Sequence, residues 1–454
     1  MPTRPSTNAL SANSAKILNT IQANATPYYR SMISQVDENN LSSLRAVGTT
    51  LLNNDGLMNE FLTSLINRVA MVWVSSKLYT NPWAFMKKGM LELGEVIEDV
   101  FVELAKPHLY NVQEAEQKVM QREIPDVDAV FHKLNYQVFY KQTIQNDSLR
   151  QAFLTWDGIT DLIARITNAM YSAVAYDEFL VTKYMIAMAV ANGDMWTEQV
   201  GTVSKETMDD VVTAMKAVSN LLTFMSGNYN AAGVDTYTDK TDQYIIINSR
   251  FDASMAVNVL ATAFNEDRAT LMGRVILVDD FGTFDMKRLK VLLGGMPNFT
   301  TLTPDQITAL SQIPAVLVDR SWFMIFDQLL KFTEIYNSQG LYWNYTLHAW
   351  KIFSYSPFAN AIAFTPDAQT VTSVTVNPTA ATLAPGAEMT FTAQVTGSTF
   401  VSQGVVWTTN NDDVPISSGG KIRIPSSGVT GTVTVTATSK QDSTKSASAI
   451  ITIS

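Results

Sequence analysis

From Asp157 to Gly193 the chain reads DGITDLIARITNAMYSAVAYDEFLVTKYMIAMAVANG. Ile159, Leu162, Ile163, Ile166, Met170 and Val174 recur three or four positions apart, and Leu180, Tyr184 and Met188 take the stripe up again. This spacing gathers them on one side of an α-helix, whose stability then comes from burying that side. Asp157 is positioned to cap the first turn, and Gly193 can take the left-handed conformation that ends a helix. At about 1.5 Å per residue, a helix over 157–192 is about 50 Å long, which suits a strut running the length of a domain.

Downstream, residues 204–360 alternate between helix and strand. Lys205 to Phe224 is helical by spacing, while Tyr244 to Asn248, Arg274 to Val278 and Ala315 to Asp319 are short apolar or β-branched runs. The spacing therefore predicts a mixed α+β domain. Upstream, Phe61, Leu62, Leu65, Ile66 and Val69 predict a short helix leading into a β-prone stretch, Val72 to Tyr79. The first 55 residues are rich in Asn, Ser, Thr and Ala with little sustained periodicity, and they read as an extended arm. Residues 87–150 hold eleven acidic and eight basic side chains, a density that suits a solvated or cross-subunit loop.

Beyond Ser373 the composition changes abruptly. Of the last 82 residues, 28 are Ser or Thr and eight are charged, four of each sign, so the whole net charge of −10 lies upstream. Alternating runs at Ser373–Val376, Met389–Val395, Val405–Trp407 and Thr432–Ala437, separated by Gly-containing turns, predict a small β-sandwich. Pro366-Asp-Ala-Gln-Thr is the linker into this separate module, and Trp407 is expected as its buried anchor.

The composition excludes several functions. An excess of acid, 42 Asp+Glu against 32 Lys+Arg, disfavours a nucleic-acid or anionic-membrane binder. Charged residues are 16% of the chain where a soluble domain carries about 25%, a deficit that suits a subunit whose surface is covered by neighbours. With no cysteine there is no disulfide, thiolate metal site or cysteine nucleophile. The first twenty residues lack the apolar core of a secretory signal, which predicts cytoplasmic synthesis. Apolar runs such as Val69–Val74 and Met185–Ala191 fall far below a membrane span of about 18 residues.

Chemistry is hard to find. There is no phosphate-binding glycine loop and no nucleophile elbow. The densest carboxylate set is Glu92, Glu95, Glu98, Asp99 and Glu103. On a helix, Glu92, Glu95, Asp99 and Glu103 would share one face opposite Leu93, Ile97, Val100, Phe101 and Leu104, the pattern of a plain solvated helix. His108 and His132 have apolar or aromatic neighbours and are expected to hydrogen-bond locally, and His348 falls in a strand-like run. The aromatic run Leu341-Tyr-Trp-Asn-Tyr with Trp350, Phe353 and Tyr355 could stack on sugars. Core packing is the stronger reading, because no paired acids sit nearby for glycoside chemistry.

Several strings, taken together and in order, resemble the major capsid protein of small short-tailed phages of the phi-29 type. They are Asn59-Glu-Phe-Leu-Thr-Ser-Leu-Ile-Asn-Arg, Glu114-Ala-Glu-Gln-Lys-Val, Arg122-Glu-Ile-Pro, Phe139-Tyr-Lys-Gln-Thr-Ile-Gln-Asn-Asp-Ser-Leu, Trp322-Phe-Met-Ile-Phe-Asp, Gly340-Leu-Tyr-Trp-Asn-Tyr and Phe358-Ala-Asn-Ala-Ile-Ala-Phe. The resemblance is good over about 55–193 and 315–365 and weak over 194–314. The tail independently resembles the bacterial immunoglobulin-like group 2 domain, through Val374-x-Val-x-Pro378, Gly386, Phe391-x-Ala-x-Val395, Val406-Trp407 and Gly431-x-Val-x-Val-x-Ala437.

The resemblance implies an α+β tailed-phage and herpesvirus capsid fold of the Hong Kong 97 type, followed by an all-β immunoglobulin-like sandwich. Mapped by position, 1–55 is an N-terminal arm and 56–365 the capsid domain. Within the latter, 75–145 is the extended loop, 157–192 the spine helix and 200–315 mostly axial domain; 373–454 is the immunoglobulin-like domain. The implied role is a non-enzymatic subunit, without cofactor or metal, that self-assembles as pentamers and hexamers into an icosahedral or elongated shell. Its implied partners are a scaffolding protein, a portal protein at one vertex and double-stranded DNA packaged without specific binding; no membrane is involved. Net acidity fits a container that must not bind its own genome tightly. Glu95, Glu98 and Asp99, with no basic residue within four positions, are expected to pair with a neighbouring subunit. Two other readings compete: a virion-surface adhesin binding host sugars through the tail, and a carboxylate-dependent hydrolase built on the cluster near Glu98.

Overall fold

The computed structural model describes residues 7–37, 40–61, 64, 79–105, 107–108, 110, 127–145, 158–204, 207–254, 275–296, 299–426 and 428–454. The β-prone residues 72–78 and the Asp157 cap lie outside the described residues. The chain divides into two compact units, the first made of 1–84, 137–179 and 327–351, the second of 85–136, 180–326 and 352–454.

The first unit corrects the reading of the N-terminal residues as extended. Three helices, Thr7–Asn24, Pro27–Met32 and Leu41–Leu52, occupy most of the described part. Thr26 caps the second by accepting the N–H of Tyr29, with Pro27 in the first turn where its missing N–H costs nothing. Leu18, Ile21 and Tyr29 from this segment join Leu44, Val47 and Leu51 in one core with Met170, Val174, Trp343, Tyr345 and Leu347. Each stripe is short, so the helices owe their stability to that shared core rather than to their own propensity. Trp343 and Tyr345, from the aromatic run, are core residues here.

A buried ionic cluster sits in the same unit. The Lys351 ammonium contacts the Glu178 carboxylate and, at 2.5 Å, Asp327 Oδ1. Asn81 Nδ2 donates to the other Glu178 oxygen at 2.6 Å. Glu178 lies on the helix Gly158–Ala191 and Lys351 on the strand Tyr342–Tyr355, so the cluster ties spine to sheet.

The expected long helix is present over 34 residues and ends as the sequence requires: Gly193 has φ +76°, and the N–H of Asp194 donates to the Ala189 carbonyl. In the second unit a five-stranded mixed sheet runs in the order Trp196–Gln199, Ala361–Thr365, Ala315–Asp319, Gln243–Asn248, Val275–Val278. The helix Met208–Leu221 lays Val211, Val212, Met215 and Val218 against Ile245, Ile247, Leu317, Ile362 and Phe364.

The tail has its own core of Val374, Phe391, Val395, Ile422, Val433, Val435 and Ile451 between small sheets. Trp407, expected as the buried anchor, is only half-buried and flanks this core; Phe391 within the core is fully buried, with its ring centroid 6.5 Å from that of Trp407. The strand Val405–Thr409 is the edge of its four-stranded sheet, so one flank of the indole has no neighbouring strand to cover it. The module also docks on the rest of its unit. Gln403 N–H donates to the Gly193 carbonyl at 2.9 Å, Gln441 Nε2 to Thr197 Oγ1 at 3.0 Å, and Lys440 Nζ to the Gly227 carbonyl. A Cβ at Gly193 would fall 2.3 Å from the Val401 carbonyl oxygen, so glycine is required there both for its φ and for this close approach.

Candidate assembly surface

The acidic stretch near Glu98 is a strand, not the helix considered from the sequence. Ile97–Val102 pairs antiparallel with Val127–His132, with Glu98 opposite Phe131, Val100 opposite Ala129 and Val102 opposite Val127. Side chains alternate across the pleat, so these six share one face. All six are exposed, Phe131 by 56% of its surface. Met90, Leu93, Val96 and Leu104, at either end of the first strand, are exposed as well. A two-stranded ribbon offering Val, Val, Val and Phe to solvent is a surface that gains free energy by being covered.

The opposite face is anchored. Phe101 stacks on Phe358 with centroids 5.7 Å apart, and His132 Nδ1 lies 2.7 Å from Ser354 Oγ. Asp99 Oδ2 stands 3.6 Å from His132 Nε2. Burial holds the His132 imidazole below its ordinary titration range, although Asp99 pulls it the other way. Nearby, Lys88 donates to the Ser321 carbonyl at 3.0 Å, and burial lowers its ammonium pKa against the pull of Asp99 and Asp319.

The three acids expected to act together are therefore separated. Glu95 closes a turn by accepting the N–H of Glu92 at 3.0 Å, Glu98 stands among the exposed apolar residues of the outer face, and Asp99 points inward. Asp99 has His132 near it in its own chain, brought by the paired strand from 33 positions away and beyond the reach of a local search. Among the described residues no group of three or more His, Asp or Glu is arranged to hold a metal ion. Sequence reasoning missed Val100, Val102, Val127 and Phe131. Ile97-Glu-Asp-Val-Phe-Val is apolar on both faces once paired, so it shows no clean alternation to mark it as strand.

An α+β chain with a 34-residue helix, a five-stranded mixed sheet and a two-stranded ribbon has the architecture of a phage capsid subunit of the Hong Kong 97 type. The solved capsid structure of Staphylococcus phage Andhra shares this fold, with a TM-score of 0.50 and 15% identity over 64% of this chain and 86% of that one. Residues 18–365 match the Phi29-like phage major capsid protein family, and the chain belongs to it. Residues 370–451 match the bacterial Ig-like domain (group 2). The major capsid protein of Bacillus phage B103 is 36% identical over 93% of this chain and 89% of its own length, and that of Bacillus phage PZA 33% identical over 86% and 82%. The chain's function is that of its family, major capsid protein of a tailed phage, and it is a component of the virion.

Proposed function

We propose that the subunit closes into pentamers and hexamers of an icosahedral or elongated shell around double-stranded DNA, and that the outer face of the 97–102/127–132 ribbon is a lattice contact with a neighbouring copy. The carrying observation is that ribbon: Val100, Val102, Val127 and Phe131 exposed on one face, Phe101 and His132 fixing the other. In this reading 1–55 is the arm, 75–145 the extended loop, 157–192 the spine and 200–315 mostly axial domain. The chain is made in the host cytoplasm, assembles with a scaffolding protein, meets a portal protein at one vertex and catalyses no reaction. The upstream net charge of −10 keeps the inner wall from binding packaged phosphates.

Negative-stain microscopy of the protein co-expressed with its scaffolding protein tests the reading. Wild type should give closed shells, and Phe131→Asp should give soluble, folded subunits without them. Normal shells from Phe131→Asp would remove the outer face from the lattice.

A further inference from the structure

The tail domain touches the ribbon as well as the sheet. Its turn at Ser417–Gly420 reaches the far end of the hairpin, where Ser418 Oγ donates to Glu103 Oε1 at 2.7 Å. Glu103 directly follows the first ribbon strand. On the second strand, Asp128 lies so close to the turn that a Cβ added at Gly419 would stand 3.2 Å from Asp128 Oδ2. The ribbon's other end is held by Ser354 on His132, and by Asn135 Oδ1, which accepts the Phe353 N–H at 2.9 Å. The tail is itself seated on the sheet side of the unit through Gly193, Thr197 and Gly227.

A two-stranded ribbon with one solvated face is marginal alone and needs outside support to keep its register. From these contacts we infer that the immunoglobulin-like domain is an internal brace: it grips the distal end of its own subunit's ribbon and holds the outer face in a fixed orientation before any neighbour arrives. The described contacts are polar, the Ser418–Glu103 hydrogen bond and the close approach of Gly419 to the Asp128 carboxylate, and they leave the outer face of the ribbon exposed. This role is a property of the single subunit and does not depend on the ribbon being a lattice contact.

Hydrogen–deuterium exchange on the unassembled full-length protein tests the brace. In Ser418→Ala with Gly419→Glu, one change removes the hydrogen bond and the other sets a third carboxylate beside Glu103 and Asp128. Amide exchange in 97–102 and 127–132 should then rise about three- to tenfold, the factor expected for losing a contact of this kind. Strands Gly431–Ser439 and Gln243–Asn248 should exchange as in wild type. Unchanged ribbon exchange overturns the brace. If Gly431–Ser439 also loosens, the single Ser418→Ala change decides by the same criterion, and Ser418→Lys, which offers Glu103 an ammonium instead, should keep the ribbon protected.

Discussion

Lys351 and Glu178 form an ion pair with only 4% and 3% of their surfaces exposed, one on a strand and the other on the spine helix. Removing two charges from water is expensive, and the pair offsets that cost only while both members and Asn81 are present. Lys351→Met should therefore lower subunit stability by about 3–5 kcal/mol in urea titrations, by leaving the buried Glu178 carboxylate and the partly exposed Asp327 without their shared ammonium. Adding Glu178→Leu should recover part of that loss. A double variant as unstable as the sum of the singles would argue against coupling.

Ile166 lies in the spine helix, and proline there removes a backbone hydrogen bond and clashes with the preceding turn, a loss of about 3 kcal/mol or more. Ile166→Pro should accumulate as insoluble protein or show a strongly lowered melting temperature. A soluble variant with wild-type circular dichroism would contradict the helix.

In the tail, Phe391→Ala should destabilise by about 3–5 kcal/mol, as for other fully buried aromatics. Trp407→Ala, at an edge strand and half-buried, should cost less, about 1–3 kcal/mol. Denaturation followed by exchange in Gly431–Ser439 separates the two, and the reverse ranking would make Trp407 the anchor.

These cases also show what the sequence made legible. The long helix was readable because its stripe recurs along 34 residues, and the tail because Thr alternates with Val or Ala over 432–438. The N-terminal helices were not, since Leu18, Ile21 and Tyr29 become a core only when Trp343 and Tyr345 arrive from more than 300 residues away. The ribbon was hidden because Val100 and Phe101, which lie on opposite faces of the pleat, look in sequence like the buried side of one helix.

Glu98→Lys changes the sign of the one charge on the outer face and leaves the Asp99–His132 contact alone. Even about 1 kcal/mol lost per contact multiplies over a shell, so shell yield should fall sharply at low salt while the subunit's melting temperature stays within a few degrees of wild type. Raising salt shortens the Debye length from about 10 Å at 0.1 M to about 3 Å at 1 M and should restore part of the yield. Wild-type yield at low salt would mean that Glu98 faces solvent in the shell.

His132 titrates below its ordinary value of 6.5 in the folded chain because it is buried. The unfolded chain therefore binds the proton first, and folding stability, complete above the ordinary imidazole pKa, declines as pH falls through it toward the folded value. Urea titrations from pH 7.5 to 5 should show this decline in wild type and a shallower one in His132→Asn. Parallel slopes would assign the acid sensitivity to other groups.

The contact between Gln403 and the Gly193 carbonyl also sets an order of events on the ribosome. At about 5–20 residues per second, the segment that caps the end of the spine emerges about 10–40 s after the glycine it covers. For that interval the nascent subunit has a finished strut with an uncovered end, and chains released early keep it. Docking of the tail thus marks a chain whose synthesis has run past Gln441, the residue that reaches Thr197 beside the end of the helix.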